Sequence, residues 1–467
     1  MLQPVPDPTL NSAAPTVLPG GSLAGASLPG SPRTDASVPS TLNSSTLNSI
    51  AMGSSATGIQ TPAPDAPVTG VPLLSPASEL PAHAGERSTA NRQAVELDLK
   101  VLHVVNGEHF SGAERVQSHL GRCLPAFGVA ADFACVKPGK FAKLIDQQGG
   151  QWGNGFEVPM SNRFDLRAAW KVRDLVEDHG YDVLHAHTPR TAMIAAIASS
   201  LTDLPWVYHV HSPAAHDSTR KWINRLNAMI ESQSLRGCSH LITVSESLRC
   251  HCVAAGISED KVSVVHNGVP GVCPPRESTP TPGGQWTIGM VALIRPRKGL
   301  EIVLDALSQL DQQGLDVVLR CIGPFETEEY EKQIQDRIDE LGIRHRVQQA
   351  GFTNDVPAAL AKLDAMVLPS LFGEGLPMVV LESMAAGLPV IATRVEGTPE
   401  AITDRVEGLL AEPRDPASLA EKIGDLVRGE IDWHEMSEAA MRRHTADFSD
   451  VAMAKGTAAV YRCLVSR

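Results

Sequence analysis

Short apolar runs alternate with longer amphipathic segments from about residue 97 onward. The first run, Leu99–Val105, is typical of a buried strand, and the segment after it repeats apolar residues every fourth position, at Val116, Leu120 and Leu124. Further strand-like runs lie at 131–136, 182–187, 206–211, 241–245 and 262–266. Apolar strands separated by helical segments are typical of a parallel sheet covered by helices, so the pattern predicts an α/β fold.

A second set of alternating runs begins beyond a stretch rich in Pro, Gly, Ser and Thr. Its strand-like members lie at 287–291, 316–322, 347–350, 365–369 and 389–393. We therefore predict two Rossmann-like domains that face a central cleft, at 97–270 and 285–430, joined by a linker at 271–284. Residues 431–467 are predicted to be helical.

Residues 1–96 have a different composition, because they are rich in Pro, Ser, Thr, Ala and Gly and contain no aromatic residue. Such a segment cannot bury enough apolar surface to offset the entropy that is lost on ordering. We therefore predict a disordered, low-complexity N-terminal extension. Two roles stay open for it, an interaction tail and a solvated extension.

The overall composition narrows the function classes. A formal net charge of −13 disfavours a general nucleic-acid-binding surface, so we expect no nucleic-acid partner. No apolar run is long enough to span a bilayer, and the first residues lack the basic-then-apolar pattern of a signal peptide. The 8 cysteines are scattered, several of them within apolar runs, which is typical of buried thiols in a reducing compartment. We therefore expect a cytoplasmic protein.

Two carboxylates mark the most informative segment. Glu374 lies in a Gly/Pro turn, and Glu382 follows within an apolar helical run. The pattern places Glu374 at a helix N-terminus and Glu382 about two turns along the helix, about 10–12 Å away. Carboxylates at that separation suit hydroxyls at the two ends of a nucleotide sugar, and the free amides of the helix N-terminus favour an anion between them. The other residues of the turn, also assigned to substrate binding, are Gly375, Leu376 and Pro377.

A basic segment follows the first strand of the second domain. Gly299 opens a helix with one apolar face, so Lys298 is predicted to project near a helix N-terminus, beside a phosphate-sized cavity. A cation at that place can neutralise a leaving diphosphate. Arg295 and Arg297 precede it in the same turn and are either further ligands of the anion or a solvated basic turn.

Histidines gather at the predicted strand ends. His185 with His187, and His209 with His211, are each two residues apart and so project to one face of a strand. Such pairs suit zinc, but no acidic or cysteine partner stands at a fixed spacing from them. We therefore predict no metal site.

Together these segments resemble the retaining glycosyltransferases of family 4, also called glycosyl transferases group 1, which have the GT-B fold. Glu374 and Glu382 match the E-x7-E motif of that family, and Lys298 matches the lysine of its Arg-x4-Lys-Gly motif, where Leu293 stands in place of the arginine. The segment 111–115, Ser-Gly-Ala-Glu-Arg, is similar to the Gly-Gly-Ala-Glu-Arg start of many members. Asn267 lies in a turn similar to the Asn-Gly-Val turn that ends the first domain.

The resemblance implies roles for further residues. His211 matches the strand-end histidine that sits near the donor sugar, and it joins Glu374 and Lys298 as a catalytic candidate. The residues that the resemblance adds as substrate-binding candidates are Gly112, His187, Gly351 and Glu400. Glu400 ends a segment similar to the Gly-Gly-x-x-Glu loop of the family, with Glu396 in place of the first glycine. Helix capping stays open as an alternative role for Glu400.

The resemblance implies a retaining transfer of a hexose from a nucleotide-diphosphate sugar bound to the second domain. The acceptor, a glycan, lipid-linked or small molecule, would bind the first domain, and the C-terminal helices would cross back to that domain. No cofactor is expected. The family also implies polysaccharide or glycolipid synthesis at the inner face of the cytoplasmic membrane, which would involve peripheral membrane association.

The absence of two motifs bears on other classes of function. Neither domain has a G-x-G-x-x-G after its first strand, which disfavours a dinucleotide oxidoreductase. There is no Asp-x-Asp of the metal-dependent kind, so a divalent ion is not required to hold the diphosphate. Two alternatives stay open: a sugar-nucleotide 2-epimerase of the same fold, and a non-catalytic partner that binds a nucleotide sugar or glycan in a polysaccharide assembly complex.

Overall fold

The computed structural model describes residues 97–466 apart from 111, 163–164, 213–234 and 272–278. The predicted disorder of residues 1–96, most of the predicted linker, and Ser111 therefore lie outside the described residues. The described chain forms two α/β lobes, which confirms the predicted fold class. We call residues 97–271 lobe 1 and residues 279–431 lobe 2.

Lobe 1 contains, within its described residues, a sheet of 7 strands in the order β3-β2-β1-β4-β5-β6-β7, with every neighbouring pair parallel. The sheet order reverses at β1, whose neighbours β2 and β4 lie on opposite sides. Crevices at the carboxyl ends of strands beside such a reversal are where ligands bind in open α/β sheets. The strands are β1 (Leu99–Val105), β2 (Val129–Cys135), β3 (Gly155–Glu157), β4 (Val183–Ala186), β5 (Trp206–Val210), β6 (His240–Thr243) and β7 (Val262–Val264).

Local sequence signals explain where several lobe 1 helices begin. Thr188 and Thr191 form a capping box around Pro189, and the Ser245 side chain accepts a hydrogen bond from the Leu248 amide. Both helices therefore begin directly after a strand end. The helices of lobe 1 are α1 (Gly112–Cys123), α2 (Lys140–Gln147), α3 (Arg167–His179), α4 (Pro189–Thr202) and α5 (Glu246–Ala254).

Lobe 2 repeats this architecture with 6 parallel strands among its described residues, in the order β10-β9-β8-β11-β12-β13. Its reversal point is β8. The strands are β8 (Trp286–Val291), β9 (Val317–Ile322), β10 (Val347–Gly351), β11 (Ala365–Leu368), β12 (Val390–Thr393) and β13 (Gly408–Ala411). The helices are α6 (Leu300–Gln312), α7 (Glu328–Leu341), α8 (Val356–Leu360), α9 (Met378–Ala385), α10 (Thr398–Ala401) and α11 (Pro416–Val427).

The C-terminal residues return to lobe 1. Helix α12 (Trp433–Arg443) packs on α9, a π-helical turn follows at His444–Phe448, and α13 (Asp450–Val465) packs on α1. Tyr461 of α13 is fully buried in the lobe 1 core, and its hydroxyl lies 2.5 Å from Nδ1 of His185. Arg122 of α1 pairs with Asp450 at the start of α13. The last helix therefore belongs to the lobe 1 core, although it follows lobe 2 in the chain.

Some elements differ from the sequence-based predictions. Strands β3 and β13 were not predicted, because each is only three or four residues long and stands next to glycine-rich or polar turns. Helix α9 begins at Met378 with Pro377 as its N-cap residue, so Glu382 lies about one turn into the helix and not two. Among the described helices, none has both the length and the apolar character needed to cross a bilayer.

We predict that Tyr461 anchors α13 to lobe 1. Tyr461→Ala leaves a cavity in the core and should lower the free energy of unfolding by about 3–5 kcal/mol. Tyr461→Phe keeps the ring and removes only the contact of the hydroxyl with His185, so it should cost about 1 kcal/mol. Chemical denaturation followed by circular dichroism measures both, and an alanine variant as stable as the phenylalanine variant would contradict the anchor.

Candidate functional site

A cavity of about 770 Å³ lies between the lobes, at the strand ends next to both sheet reversals. Gly112 and Arg115 of α1 line its lobe 1 side together with Trp152. On the lobe 2 side it is lined by residues after β8, β9 and β10, including Phe352, and by Glu382 of α9. Its volume lies within the range usual for small-molecule sites.

A buried ion pair joins two of the predicted catalytic residues, neither of which is among the residues that line the cavity. Nζ of Lys298 lies 2.5 Å from Oε1 of Glu374, and the hydroxyl of Ser370 donates to the same oxygen at 2.6 Å. Both charged side chains are largely buried. Burial lowers the pKa of Lys298, while the carboxylate of Glu374 opposes that shift. The structure therefore brings together a desolvated ammonium and a carboxylate that the sequence placed on separate turns.

Gly299 explains why these two turns can meet. It has a φ of 69°, and a Cβ at this position would lie 2.1 Å from the carbonyl oxygen of Pro369. Only glycine allows the turn before α6 to approach the loop after β11 so closely. The approach is completed by the Leu371 amide, which donates to the carbonyl of Arg297 at 2.8 Å.

The two arginines of the basic turn have different surroundings. Nη1 of Arg297 donates to the carbonyls of Phe372 and Gly373 and lies 3.8 Å from Oε1 of Glu374. Arg295 points elsewhere, with its Nη1 3.5 Å from Oε1 of Glu326. Of the two candidates, Arg297 is therefore the one beside the Lys298–Glu374 pair.

Two amides of the loop that carries Glu374 are occupied by the protein itself. The Glu396 carboxylate accepts hydrogen bonds from the amides of Gly373 and Glu374, at 2.9 and 3.1 Å. Glu396 has a φ of 34°, which lies in the left-handed region. Glycine, which the resembled family has at this position, adopts such a value without strain. These two amides, which precede the N-terminus of α9, are therefore not free for an anion.

The loop that carries Glu374 also contacts lobe 1 directly. A Cβ on Gly375 would lie 2.3 Å from the carbonyl oxygen of His211, so the backbones of the two lobes touch here. The next carbonyl, that of Leu376, accepts a hydrogen bond from the Asn267 side chain at 3.1 Å. These contacts hold the Glu374 loop against the strand end that carries His211.

Glu382 lines the cavity but already has a protein partner. Its carboxylate pairs with Arg115 of α1 across the cleft. Burial raises the pKa of Glu382, and the nearby guanidinium opposes that rise. A ligand that binds to Glu382 must share this carboxylate with Arg115 or displace it.

Glu400 caps a helix of the opposite lobe. Its two carboxylate oxygens accept hydrogen bonds from the amides of Glu246 and Ser247, at 2.6 and 2.8 Å, and His266 lies 3.3 Å away. Burial alone would raise the pKa of Glu400, but the hydrogen bonds from His266 and the two amides outweigh it, and the pKa lies below its ordinary value. Of the two roles left open, the contacts correspond to capping, at the N-terminus of α5.

The histidines form one cluster behind the site. His211 is half-buried at the end of β5, and its Nε2 lies 3.2 Å from Nδ1 of the buried His187. Burial lowers the pKa of His211 to about 4, so its ring is neutral near pH 7. Both nitrogens of His187 face other histidines, so His187 can influence a ligand only through His211.

Two parts of the site were missed by the sequence analysis. Phe110 and Trp152 form an aromatic wall on lobe 1, with ring centroids 6.3 Å apart, and they lie far apart in the chain with no shared motif. Arg115, the partner of Glu382, belongs to the resembled segment at 111–115 but was not given a role. Gly351, by contrast, is one of the predicted substrate-binding residues. It ends β10 with a φ of 68° and stands next to Phe352, which lines the cavity.

Two family profiles match this chain. The profile described as glycosyl transferases group 1 matches residues 275–443, which contain lobe 2 and α12. The profile described as Glycosyltransferase Family 4 matches residues 110–270, which contain most of lobe 1.

Curated relatives give the same picture. The chain is 25% identical over 348 residues to the UDP-Gal:alpha-D-GlcNAc-diphosphoundecaprenol alpha-1,3-galactosyltransferase of Escherichia coli, covering 71% of this chain and 87% of that protein. It is 28% identical over 311 residues to a glycogen synthase of Mycobacterium tuberculosis, covering 63% and 72%.

Solved structures share the fold. The crystal structure of Anabaena HepE in complex with UDP matches with a TM-score of 0.67 and 23% identity, covering 78% of this chain and all of that one. A sucrose-phosphate synthase from Thermosynechococcus elongatus matches with a TM-score of 0.65 and 18% identity, covering 79% and 99%. At these sequence identities, the structural similarity shows the fold alone.

We predict that the negative charge of Glu374 keeps Lys298 protonated. Glu374→Gln keeps the shape of the side chain but removes the charge, so the pKa of Lys298 should fall further below its ordinary value. NMR titration of ¹³C-methylated lysines measures the shift. Glu326→Gln, which neutralises a carboxylate that pairs with Arg295, is the control. Equal Lys298 pKa values in the two variants would contradict the coupling.

Proposed function

Because the chain belongs to the glycosyl transferases group 1 family and is a GT-B-fold glycosyltransferase, we propose that it transfers a hexose from a nucleotide-diphosphate sugar with retention of configuration. The observation that carries the proposal is the buried Lys298–Glu374 pair, whose loop touches the backbone of His211 through Gly375. A desolvated cation paired with a carboxylate, on a loop that touches the strand end of His211, suits a reaction in which a diphosphate leaves a sugar.

The donor would lie in the interlobe cavity. Glu382 is in position to accept hydrogen bonds from ribose hydroxyls once Arg115 yields part of the carboxylate. The strand end at Gly351 would meet the base through backbone groups. HepE has been crystallised with UDP-glucose, and the E. coli relative is named for a UDP-linked donor, so UDP-sugars are the first donors to test.

The acceptor would enter from lobe 1. Phe110 and Trp152 present an aromatic surface on that side of the cavity, and flat aromatic faces suit the apolar faces of sugar rings. A saccharide, a lipid-linked saccharide or a small molecule can each present such a ring. The E. coli relative is named for a lipid-linked acceptor, which supports testing that class with this protein.

The proposed reaction needs no resident cofactor. The bond between the anomeric carbon and the diphosphate oxygen breaks, the acceptor hydroxyl forms a bond to the same face of that carbon, and its proton passes to the leaving diphosphate. Lys298, assisted by Arg297, would neutralise the charge that develops on the diphosphate. Neutral His211 would donate a hydrogen bond to the sugar, and Glu374 would hold sugar hydroxyls.

Donor binding must also rearrange the ion pairs. The ammonium of Lys298 is bonded to Glu374 in the structure, so the diphosphate has to share it. The pairing of Arg115 with Glu382 bridges the lobes in the same way. Exchange of these internal carboxylates for ligand groups would couple donor binding to movement of the lobes.

We predict that Lys298→Ala and Glu374→Gln each lower kcat by about 10²–10³, because each removes a charge that stabilises the departing diphosphate or positions the sugar. Product formation from radiolabelled UDP-sugars and an acceptor panel measures the loss. Glu326→Gln, on the same lobe, should keep the wild-type rate. Wild-type turnover in either site variant would contradict the proposed site.

Glu382 should affect donor binding more than the chemical step. Glu382→Gln weakens hydrogen bonds to the donor that involve a charged group, so KM for the donor should rise by about 10–100-fold while kcat changes less.

Donor conversion in the absence of acceptor separates the proposed transferase from the two alternative functions. An epimerised nucleotide sugar would support the 2-epimerase, and binding without turnover even in the presence of the acceptor panel would support the non-catalytic partner.

A further inference from the structure

Five histidines on three neighbouring strands of lobe 1 form a continuous buried cluster. His103 lies on β1, His185 and His187 at β4 and its end, and His209 and His211 at β5 and its end. Neighbouring rings lie close, with centroids 4.2 Å apart for His185 and His187 and 4.3 Å apart for His209 and His211. The parallel register sets the cluster, because β4 lies between β1 and β5 and brings residues of all three strands side by side.

Part of the cluster is linked by hydrogen bonds. Nδ1 of His103 lies 3.0 Å from Nε2 of His187, and Nδ1 of His187 lies 3.2 Å from Nε2 of His211. His185 reaches the hydroxyl of Tyr461. These contacts use both ring nitrogens of His187, one each of His103, His185 and His211, and neither of His209.

The remaining ring nitrogens are the unexplained feature. Nδ1 and Nε2 of His209, Nε2 of His103 and Nε2 of His185 are buried and find no hydrogen-bond partner within the part of the chain that the structure describes. His209 is fully buried. A buried polar group without a partner is destabilising, and such groups are rare in folded proteins unless they bind something.

The chemistry of the group is that of a metal site. One nitrogen from each of His187, His209 and His211 lies within 4.8 Å of the others, and the same holds for His103, His185 and His187. A neutral imidazole carries a proton on one ring nitrogen and offers the lone pair of the other nitrogen to a metal ion. Neutral imidazoles prefer zinc and neighbouring transition metals over magnesium or calcium.

We propose that His187, His209 and His211 form a binding site for Zn²⁺ or a similar borderline divalent ion. The first triad is chosen because His211 is half-buried and gives an ion access from solvent, whereas the other triad is buried throughout. An ion bound there takes one of the two unpartnered nitrogens of His209 and replaces the contact between His187 and His211. The fourth coordination position is left for water or another ligand from the cleft.

His103 supplies the outer support that such sites need. Histidine ligands usually donate their second ring N–H to an acceptor, which fixes the ring and the coordinating nitrogen. Nε2 of His187 is 3.0 Å from Nδ1 of His103, so Nδ1 of His187 stays available to the ion. This nitrogen is the one that faces His211 in the structure.

The site has a functional consequence that rests on the proposed function. His211 is the ring proposed to contact the donor sugar, so an ion that holds its Nε2 withdraws it from that role. Zinc therefore inhibits transfer and does not support it. Metal binding itself does not depend on this argument and is measured separately.

The test uses the full chain, prepared without a histidine tag and stripped with a chelator. Zn²⁺ is titrated in competition with a chromophoric chelator, and Co²⁺ is titrated to record its ligand-field absorption, which reports coordination geometry. We expect one tight ion for each chain and a tetrahedral Co²⁺ spectrum. His209→Leu, a substitution of similar size, should weaken binding at least about tenfold, since one of three ligands is lost.

Control variants separate this site from the rest of the 16 histidines. His240 lies on β6, is buried and has its Nε2 2.8 Å from the Ser263 hydroxyl, so His240→Gln should bind zinc as wild type does. If His209→Leu fails to fold by circular dichroism, His211→Ala, at the half-buried end of the cluster, tests the same ligand set. Zinc should inhibit transfer in the wild type and in His240→Gln, and much less in His209→Leu.

The outcomes are distinct. Binding of no stoichiometric ion by folded wild-type protein, or equal binding by His209→Leu, would overturn the metal site and would indicate buried water as the partner of these nitrogens. Tight binding without inhibition would keep the site and contradict the role of His211 in transfer. Absence of transfer in the stripped wild type would contradict the proposed function and leave the binding result standing.

Discussion

The contact between Gly375 and the His211 carbonyl is the constraint on which the site depends. It is a backbone-to-backbone approach between lobes, so it leaves no room for any side chain at residue 375. Glu374 precedes this point, and the hydrogen bond from Asn267 to Leu376 follows it. Main-chain contacts therefore hold the loop that carries Glu374 against the strand end that carries His211.

Paired charges accompany this contact. Lys298 with Glu374, Arg115 with Glu382, and Glu400 with two helix amides each remove a charged group from water and give it a partner. Burying a pair of charges costs desolvation energy that the pairing only partly offsets, so such pairs are weak evidence of stability. They make sense as groups that exchange partners with a charged ligand. Glu396 extends this pattern, because its carboxylate already bonds two amides of the same loop.

Much of the fold and several site residues were predictable from local patterns. Apolar runs separated by amphipathic segments identified the main parallel strands of both lobes. Gly299 with an apolar helical face placed Lys298 before a helix, and the seven residues between Glu374 and Glu382 placed two carboxylates on a turn and its helix. The short strands β3 and β13 were not predictable, because each begins at a glycine beside polar residues, whereas the equally short β7 lies within a longer apolar run.

The amino-acid sequence by itself determined the secondary structure and the kinds of side chain available, since these depend on periodicity, turn residues and composition within a few positions. The tertiary structure decided which groups meet. The capping of α5 by Glu400 and the pairing of Glu382 with Arg115 join residues that are distant in the chain. The position of Arg297 beside Glu374 distinguishes it from Arg295, its neighbour in the same turn. The histidine cluster was decided in the same way, because the spacing within each strand was visible but the order of β1, β4 and β5 in the sheet was not. Lateral strand order depends on crossover connections and packing, and no local pattern encodes it.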